Sequence, residues 1–186
     1  MTTTHPPTDQ TSTGRDSDLP RLPNDVRTSL VLSLLFTGAI FGFFYAWVCS
    51  TMWGLDDADP RVAIGAMQAM NASVRNAVFF PAFFLTPIVV AVAGAQLRRV
   101  GRTTSANRFF AAAGLYLVGG LLLTMIINVP MNEELAQVAI PASLEDAATI
   151  WQDYSGRWQL ANIARTAASA ASLALIGTGL TSLDRR

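Results

Sequence analysis

The chain has 186 residues, of which 51% are hydrophobic and only 14% are charged. Because a soluble globular domain carries about 25% charged residues, this composition indicates an integral membrane protein. The formal net charge is zero, which argues against binding to nucleic acid. A single cysteine excludes an internal disulfide bond.

Residues 1–27 are rich in Thr, Pro, Asp and Ser and poor in large apolar side chains. Such a segment cannot bury enough surface to offset the entropy lost on ordering, so we expect a disordered tail. We expect residues 28–186 to form one transmembrane domain.

Four apolar stretches follow the tail, and an α-helix needs about 20 apolar residues to cross the hydrocarbon core. We therefore predict an all-α integral membrane protein, with a left-handed four-helix bundle as the default architecture. The predicted spans are about 29–52, 77–97, 109–128 and 158–183.

The arginines predict the orientation of these spans. They gather in the tail, in the loop between the second and third spans and at the C-terminus, whereas the other two loops collect most of the acidic residues. By the positive-inside rule we expect a multi-pass protein of the cell membrane with both termini in the cytoplasm.

Small residues and prolines in the spans predict how the helices pack. Close approach of helices in lipid requires small side chains, and prolines such as Pro81 and Pro87 in the second span favour kinks. The small residues recur every four positions as Gly38, Gly42, Ala46 and Ser50 on the first span and as Ala164, Ala168 and Ser172 on the fourth.

The two loops on the predicted outer side each contain a short amphipathic helix. Residues 61–76 follow Pro60 and place Gln68 and Asn71 on one face. Residues 143–154 begin with Ser143 as a predicted N-cap. We expect both helices to lie at the membrane surface.

The third span ends in a run from Asn128 to Asn132 that contains Pro130. Pro130 is expected to move Val129 out of helical geometry. The two asparagines can satisfy freed backbone groups, or they can bind a ligand. This run lies towards the same end of the bundle as Arg165, so the polar groups indicate a shared cavity.

Arg165 is the only charged residue within the fourth predicted span. An arginine at the bilayer centre costs about 2.5 kcal/mol or more, so it is expected to face the bundle interior or a wet cavity. The alternative is that it reaches the interface and only anchors the helix. Trp158, Asn162 and Arg165 lie at positions i, i+4 and i+7 and share one helix face.

The aromatic residues Phe43, Phe44, Tyr45 and Trp47 can form a belt at the membrane interface, or they can bind a ligand. The predicted spans contain no His, Asp or Glu. This excludes ligation of haem by two histidines and argues against the usual metal sites and proton-coupled transport. We expect no metal and no cofactor.

Several motifs between about residues 28 and 183 suggest a family. The most specific are Asn-x-Pro-x-Asn from Asn128 and Trp-x-x-x-Asn-x-x-Arg from Trp158. Together they resemble the anthrone oxygenase-like family of small four-helix membrane proteins, most of them uncharacterised. They are accompanied by Gly-Phe-Phe-Tyr-Ala-Trp from Gly42, Ser-Thr-Met-Trp-Gly-Leu from Ser50, Met67-Gln68, Asn71, Trp151 and Tyr154.

The resemblance implies oxidation of an anthrone to an anthraquinone by molecular oxygen without a cofactor. Members similar to those enzymes tend to carry a His shortly before the arginine, where this chain has Asn162. Arg165 would stabilise the substrate anion, while Asn128, Asn132 and Asn162 would orient its phenolic oxygens. The matching positions for substrate binding are Trp158, Tyr45, Met52, Gln68 and Asn71, and the candidate bases are Glu133, Glu134 and Asp153.

Two other functions remain open. The same cavity could hold a lipid or another lipophilic molecule without altering it, or the polar residues could serve only helix packing. In the last case Arg165 would pair with backbone carbonyls. The expected partners are membrane lipids and, for the first two functions, a small lipophilic aromatic ligand.

Overall fold

The structure is a computed structural model that describes residues 22–183. Most of the predicted tail, residues 1–27, lies outside the described residues. The first helix begins at Asn24, directly after Pro23, so it starts before the boundary predicted at residue 28. The described residues form five helices: α1 (Asn24–Asp56), α2 (Pro60–Ser73), α3 (Phe79–Arg99), α4 (Thr103–Ala136) and α5 (Leu144–Thr181).

Four of these helices, α1, α3, α4 and α5, are long and apolar enough to cross a membrane. This confirms the predicted all-α bundle of four membrane-spanning helices. α1 packs against α3 and α5, and α4 packs against the same two helices. Among the described residues, α1 and α4 therefore lie on one diagonal of the bundle, and α3 and α5 lie on the other. Spans that follow one another in the chain are neighbours, as in an up-and-down bundle.

The buried apolar side chains form three clusters along the bundle axis. One surrounds Phe109, near the turn between α3 and α4. In this turn Gly101 has a φ of +79°, which residues with a side chain rarely adopt. The second surrounds Phe44 in the middle of the bundle. The third surrounds Met67 and Trp151 at the opposite end, which we call the α2 end.

α2 lies across the α2 end and corresponds to the helix predicted for residues 61–76. Asp59 is its N-cap, because the carboxylate accepts the backbone N–H two residues further on. Gln68 fixes α2 to the end of α4, since its Nε2 donates to the carbonyl oxygens of Leu135 at 2.8 Å and Val138 at 2.9 Å. α2 therefore acts as a cover over this end of the bundle.

The second short helix, predicted for residues 143–154, is not a separate element. Ser143 is the N-cap as predicted, with its Oγ accepting the N–H of Asp146, but the helix continues without interruption as α5. No proline interrupts the chain between the predicted helix and the predicted span. At 1.5 Å per residue, α5 is about 57 Å long, which exceeds the hydrocarbon thickness of about 30 Å. Arg165 thus lies about six turns into its helix, whereas a helix beginning at residue 158, as predicted, would place it about two turns in.

Pro130 does not end the third span, contrary to the prediction from the sequence. Val129 has helical angles of φ −65° and ψ −50°, and α4 continues to Ala136. A π-helical turn over Thr124–Asn128 directly precedes the proline. Such a turn shifts the hydrogen-bond register, which accommodates the N–H that proline lacks.

The prolines of α3 differ in their surroundings. Pro81 lies in the first turn of the helix, where no backbone donor is needed. Pro87 lies inside the helix and leaves the carbonyl oxygen of Phe83 without its usual N–H partner. The hydroxyl of Tyr116 in α4 donates to that oxygen at 2.9 Å. The carbonyl oxygen that Pro87 leaves free thus accepts a hydrogen bond that connects α3 and α4.

The predicted stripe of small residues on α1 does not mediate a helix contact within the described bundle. Gly42 and Ser50 are exposed, and no atom lies within 4 Å of a Cβ placed on Gly42. The close approach occurs instead between α4 and α5, where a Cβ on Gly119 would lie 2.5 Å from the Cβ of Ala168. Of the stripe predicted on the fourth span, Ala168 makes this close approach and Ser172 is buried, whereas Ala164 is exposed.

Candidate functional site

A cavity of about 160 Å³ lies beneath α2, between the four spans. Its wall is mainly aromatic and includes side chains from α1, α3 and α5. The polar residues that line it are Asn71, Thr124, Asn132 and Arg165. An apolar pocket with a few convergent polar groups is typical of a small-molecule site.

Arg165 lies at the base of this cavity and is only 4% exposed. Its Nε donates to Oδ1 of Asn162 at 2.8 Å, and its Nη1 donates to Oγ1 of Thr124 at 3.4 Å. The guanidinium carbon lies 4.3 Å from the ring centroid of Phe44 and 4.9 Å from that of Trp158. Each cation–π contact contributes about 0.5–2 kcal/mol. The inward position predicted for Arg165 is the one observed.

No carboxylate neutralises the charge of Arg165 within residues 22–183. The ion pairs of this part of the chain are Arg61–Asp59 and Arg75–Glu133, and both lie at the surface. Nη2 of Arg165 also has no protein hydrogen-bond partner among the described residues. A buried charge without a counter-ion is costly, so the site favours a ligand that brings negative charge.

Asn162 holds Arg165 in place from one turn earlier on α5. Its Nδ2 donates to the carbonyl oxygen of Phe44 at 3.2 Å, which turns its Oδ1 towards Arg165. The Phe44 carbonyl lies in the turn before the π-helical stretch Trp47–Thr51, where the backbone ladder of α1 changes register. Asn162 does not itself line the cavity, so its contact with a ligand would be indirect.

Asn132 lines the cavity, and the hydrogen bonds of its side chain among the described residues involve only the amide oxygen. Its Oδ1 accepts hydrogen bonds from the hydroxyl of Tyr154 at 2.7 Å and from Nε1 of Trp158 at 2.9 Å. Because an indole N–H is only a donor, the atom that it meets must be the amide oxygen. The Nδ2 of Asn71 is buried without a partner and belongs to the same wall. The lining thus includes two side-chain amides and one guanidinium.

Several sequence-predicted residues lie away from the cavity. Tyr45 is half-exposed and stacks on Phe41, because its position on α1 is turned outward from Phe44. Met52 packs in the apolar cluster of the α2 end, and Gln68 is bound to the backbone of α4. Asn128 lies behind Trp158, donating from Nδ2 to its carbonyl oxygen at 3.4 Å, while its Oδ1 is buried without a partner.

The candidate bases also lie outside the cavity. Glu133 pairs with Arg75 at the surface, at 3.4 Å. Glu134 and Asp153 line a separate surface groove that also contains Tyr154. The lining drawn from residues 22–183 therefore includes no carboxylate and no imidazole.

Comparison with family models identifies the family of the chain. The family model for anthrone oxygenase matches residues 69–175, which is more than half of the chain and includes all four polar residues of the cavity lining. The chain belongs to the anthrone oxygenase family. No curated protein and no solved structure matches the chain.

In this anthrone oxygenase family member, α1 lies outside the matched segment but still supplies part of the site. Phe44 and Trp47, interpreted from the sequence as part of an interfacial belt, are only 1% and 8% exposed and line the cavity. Their spacing with Ile40, at i, i+4 and i+7, places all three on one face and was the signal for an inward position.

Two other parts of the lining also escaped the sequence interpretation. Phe79 and Phe83 stack on each other at 5.2 Å, one turn apart on α3. Thr124 carries no signal in the sequence, because its role depends on Arg165 reaching it from another helix. Contacts of this kind require the packing of α4 on α5 to be known.

Proposed function

We propose that this protein is a cofactor-independent oxygenase that oxidises an anthrone-like aromatic compound in the cavity beneath α2. The observation that carries the proposal is the buried guanidinium of Arg165, which faces an aromatic cavity without a carboxylate partner among the described residues. Membership of the anthrone oxygenase family supports the class of reaction.

The role of Arg165 in this proposal is to stabilise the substrate anion. An anthrone that loses a proton becomes an electron-rich anion, with negative charge on its oxygen. In a site with low dielectric constant, a fixed cation stabilises such a charge far more than water would. Nη2 of Arg165 would receive the oxyanion, and the amides of Asn71 and Asn132 would bind further oxygens. Phe44 and Trp158 would contact the rings.

The overall reaction is anthrone plus O₂ giving anthraquinone plus water. The anion transfers one electron to O₂, and the resulting radical and superoxide combine to form a carbon–oxygen bond. The peroxide takes up a proton, and loss of water then breaks its O–O bond and the remaining C–H bond to leave the second carbonyl. The protein supplies a dry pocket, orientation and charge, while the substrate supplies the electrons.

The proton that the anthrone loses in the first step needs an acceptor. We place this acceptor in the solvent at the α2 end of the bundle. Asn132 and Tyr154 separate the cavity from the surface groove that contains Glu134 and Asp153. In the proposal, the proton reaches solvent on this side. The cavity itself then needs only to hold the anion.

A second candidate function is binding of a lipophilic anion without turnover. It is favoured by the composition of the described cavity lining, which provides a cation and hydrogen-bond donors but no carboxylate or imidazole to act as a base. The same residues would hold the ligand in both functions.

The experiment is incubation of purified protein with anthrone in air, followed by mass spectrometry of the extracted small molecules. Wild type is compared with Arg165→Ala, Arg165→Met, which keeps the side-chain volume, and Arg99→Ala, which removes an exposed arginine at the opposite end of the bundle. Anthraquinone formed by wild type and Arg99→Ala but by neither Arg165 variant supports the oxygenase. Unchanged anthrone, with a ligand retained only by proteins that have Arg165, supports the binder and overturns the oxygenase.

A further inference from the structure

One side of the cavity is formed by exposed apolar residues. Phe80 and Phe84 of α3 are 40% and 39% exposed, and Met125 of α4 is 40% exposed. All three belong to membrane-spanning helices. An exposed apolar side chain in such a helix faces lipid, so this side of the cavity borders on the bilayer.

α3 and α4 separate from each other on this side of the cavity. α3 contacts α4 along Thr103–Leu122 and makes no close contact with the π-helical turn Thr124–Asn128. The hydrogen bond from Tyr116 to Phe83 ties the helices together where this gap begins. The gap therefore results from the separation of the two helix backbones and does not depend on the rotamer of one side chain.

In contrast to the side that faces lipid, the cavity is covered at the α2 end. Met70, Asn71 and Val74, in and directly after α2, form the roof of the cavity. Gln68 ties this roof to α4 through two hydrogen bonds to backbone carbonyls. A ligand arriving from water at this end would have to displace α2.

We infer that the cavity is reached sideways from the bilayer, through an opening between Phe84 of α3 and Met125 of α4. The ligand is then a flat aromatic molecule dissolved among the lipid chains, which passes in with its oxygen directed towards Arg165. The aromatic identity of the ligand rests on the proposed function, whereas the position of the opening rests on exposure and helix separation alone.

The opening is tested by chemical modification of single cysteines in lipid vesicles. Cys49→Ser removes the only cysteine, and Met125→Cys or Ile126→Cys is then introduced. Ile126 is the matched control, because it is 70% exposed on the next position of α4 and does not line the cavity. The reagents are lipid-soluble benzylmaleimide and a quaternary-ammonium maleimide that stays in water.

We expect benzylmaleimide to modify both variants and the charged maleimide to modify neither. Uptake of anthraquinone from the vesicles is then followed by quenching of tryptophan fluorescence, a readout that needs no turnover. Modified Met125→Cys should take up the ligand about tenfold more slowly than the same protein before modification, and modified Ile126→Cys should be unchanged. Rapid modification of Met125→Cys by the charged reagent, or equal uptake after modification at both positions, would overturn the opening whether or not the protein oxidises anthrones.

Discussion

The guanidinium of Arg165 lies over the ring of Phe44, with its carbon 4.3 Å from the ring centroid. The carbonyl oxygen of the same phenylalanine accepts from Asn162, whose own oxygen holds Nε of Arg165. One residue of α1 thus supports the cation of α5 in two ways. The positive charge of Arg165 is stabilised by an aromatic ring and by neutral oxygen atoms, none of which neutralises it. The guanidinium can therefore still bind an anion.

Phe44→Leu is expected to weaken this arrangement without removing the backbone hydrogen bond. Loss of the cation–π contact and part of the packing should lower the free energy of unfolding by about 1–3 kcal/mol. The measurement is thermal unfolding in detergent, with Phe41→Leu as the control, since Phe41 stacks on Tyr45 outside the cavity. An equal effect of the two substitutions would contradict the assigned contact.

The hydrogen bond between Tyr116 and the carbonyl oxygen of Phe83 predicts that a second substitution, at Pro87, can restore stability lost on removing the hydroxyl. Tyr116→Phe leaves the carbonyl oxygen of Phe83 buried without a partner and should cost about 1–3 kcal/mol of stability. Pro87→Ala restores a backbone N–H to that oxygen, so the double variant should be more stable than the sum of the two single effects predicts. Simple additivity in the double-mutant cycle would show that the freed carbonyl does not need Tyr116.

Asp56 is expected to fasten the end of α1 to α5. Its carboxylate accepts from Nε1 of Trp151 at 2.9 Å, Oγ of Ser155 at 2.6 Å and Nε2 of Gln159 at 2.8 Å. Asp56→Ala should lower stability by about 1–3 kcal/mol, because it removes three hydrogen bonds to a charged group. Asp57→Ala, at a neighbouring position that is also exposed but whose side chain makes no hydrogen bond among the described residues, should change it by less than about 0.5 kcal/mol. The prediction fails if unfolding curves place the two variants together.

The orientation of the bundle is a proposal that rests on the arginines. We propose that the α2 end faces the outside of the cell membrane and that both termini are cytoplasmic. In the Cys49→Ser background, an impermeant maleimide added to intact cells should label Ala139→Cys, at the α2 end, and spare Thr104→Cys, near Gly101. Labelling in the opposite pattern would reverse the orientation.

The membrane-spanning core was predictable because the bilayer imposes simple rules on composition. Long apolar stretches must be helical in lipid, and an inward position is one of the two that the bilayer allows for a charge such as Arg165. The shared face of Trp158, Asn162 and Arg165 also followed from helical spacing alone. These features depend on single helices.

Features that depend on two helices were not predictable in the same way. Tyr45 and Phe44 are neighbours in sequence, yet only Phe44 faces the cavity, because the rotation of α1 is set by its contacts with α3 and α5. The passage of α4 through Pro130 depends on a π-helical turn that has no distinct sequence pattern. The unused small residues around Gly42 show that such a stripe does not identify its partner.

The most direct test of the central claim is the ionisation of bound anthrone, followed by absorbance as a function of pH with oxygen removed so that no turnover occurs. Wild type should stabilise the anion through Arg165, so the anion spectrum should appear at a lower pH than in the folded Arg165→Met variant. If the bound anthrone ionises at the same pH in both proteins, Arg165 does not hold the substrate anion and the proposed mechanism is wrong.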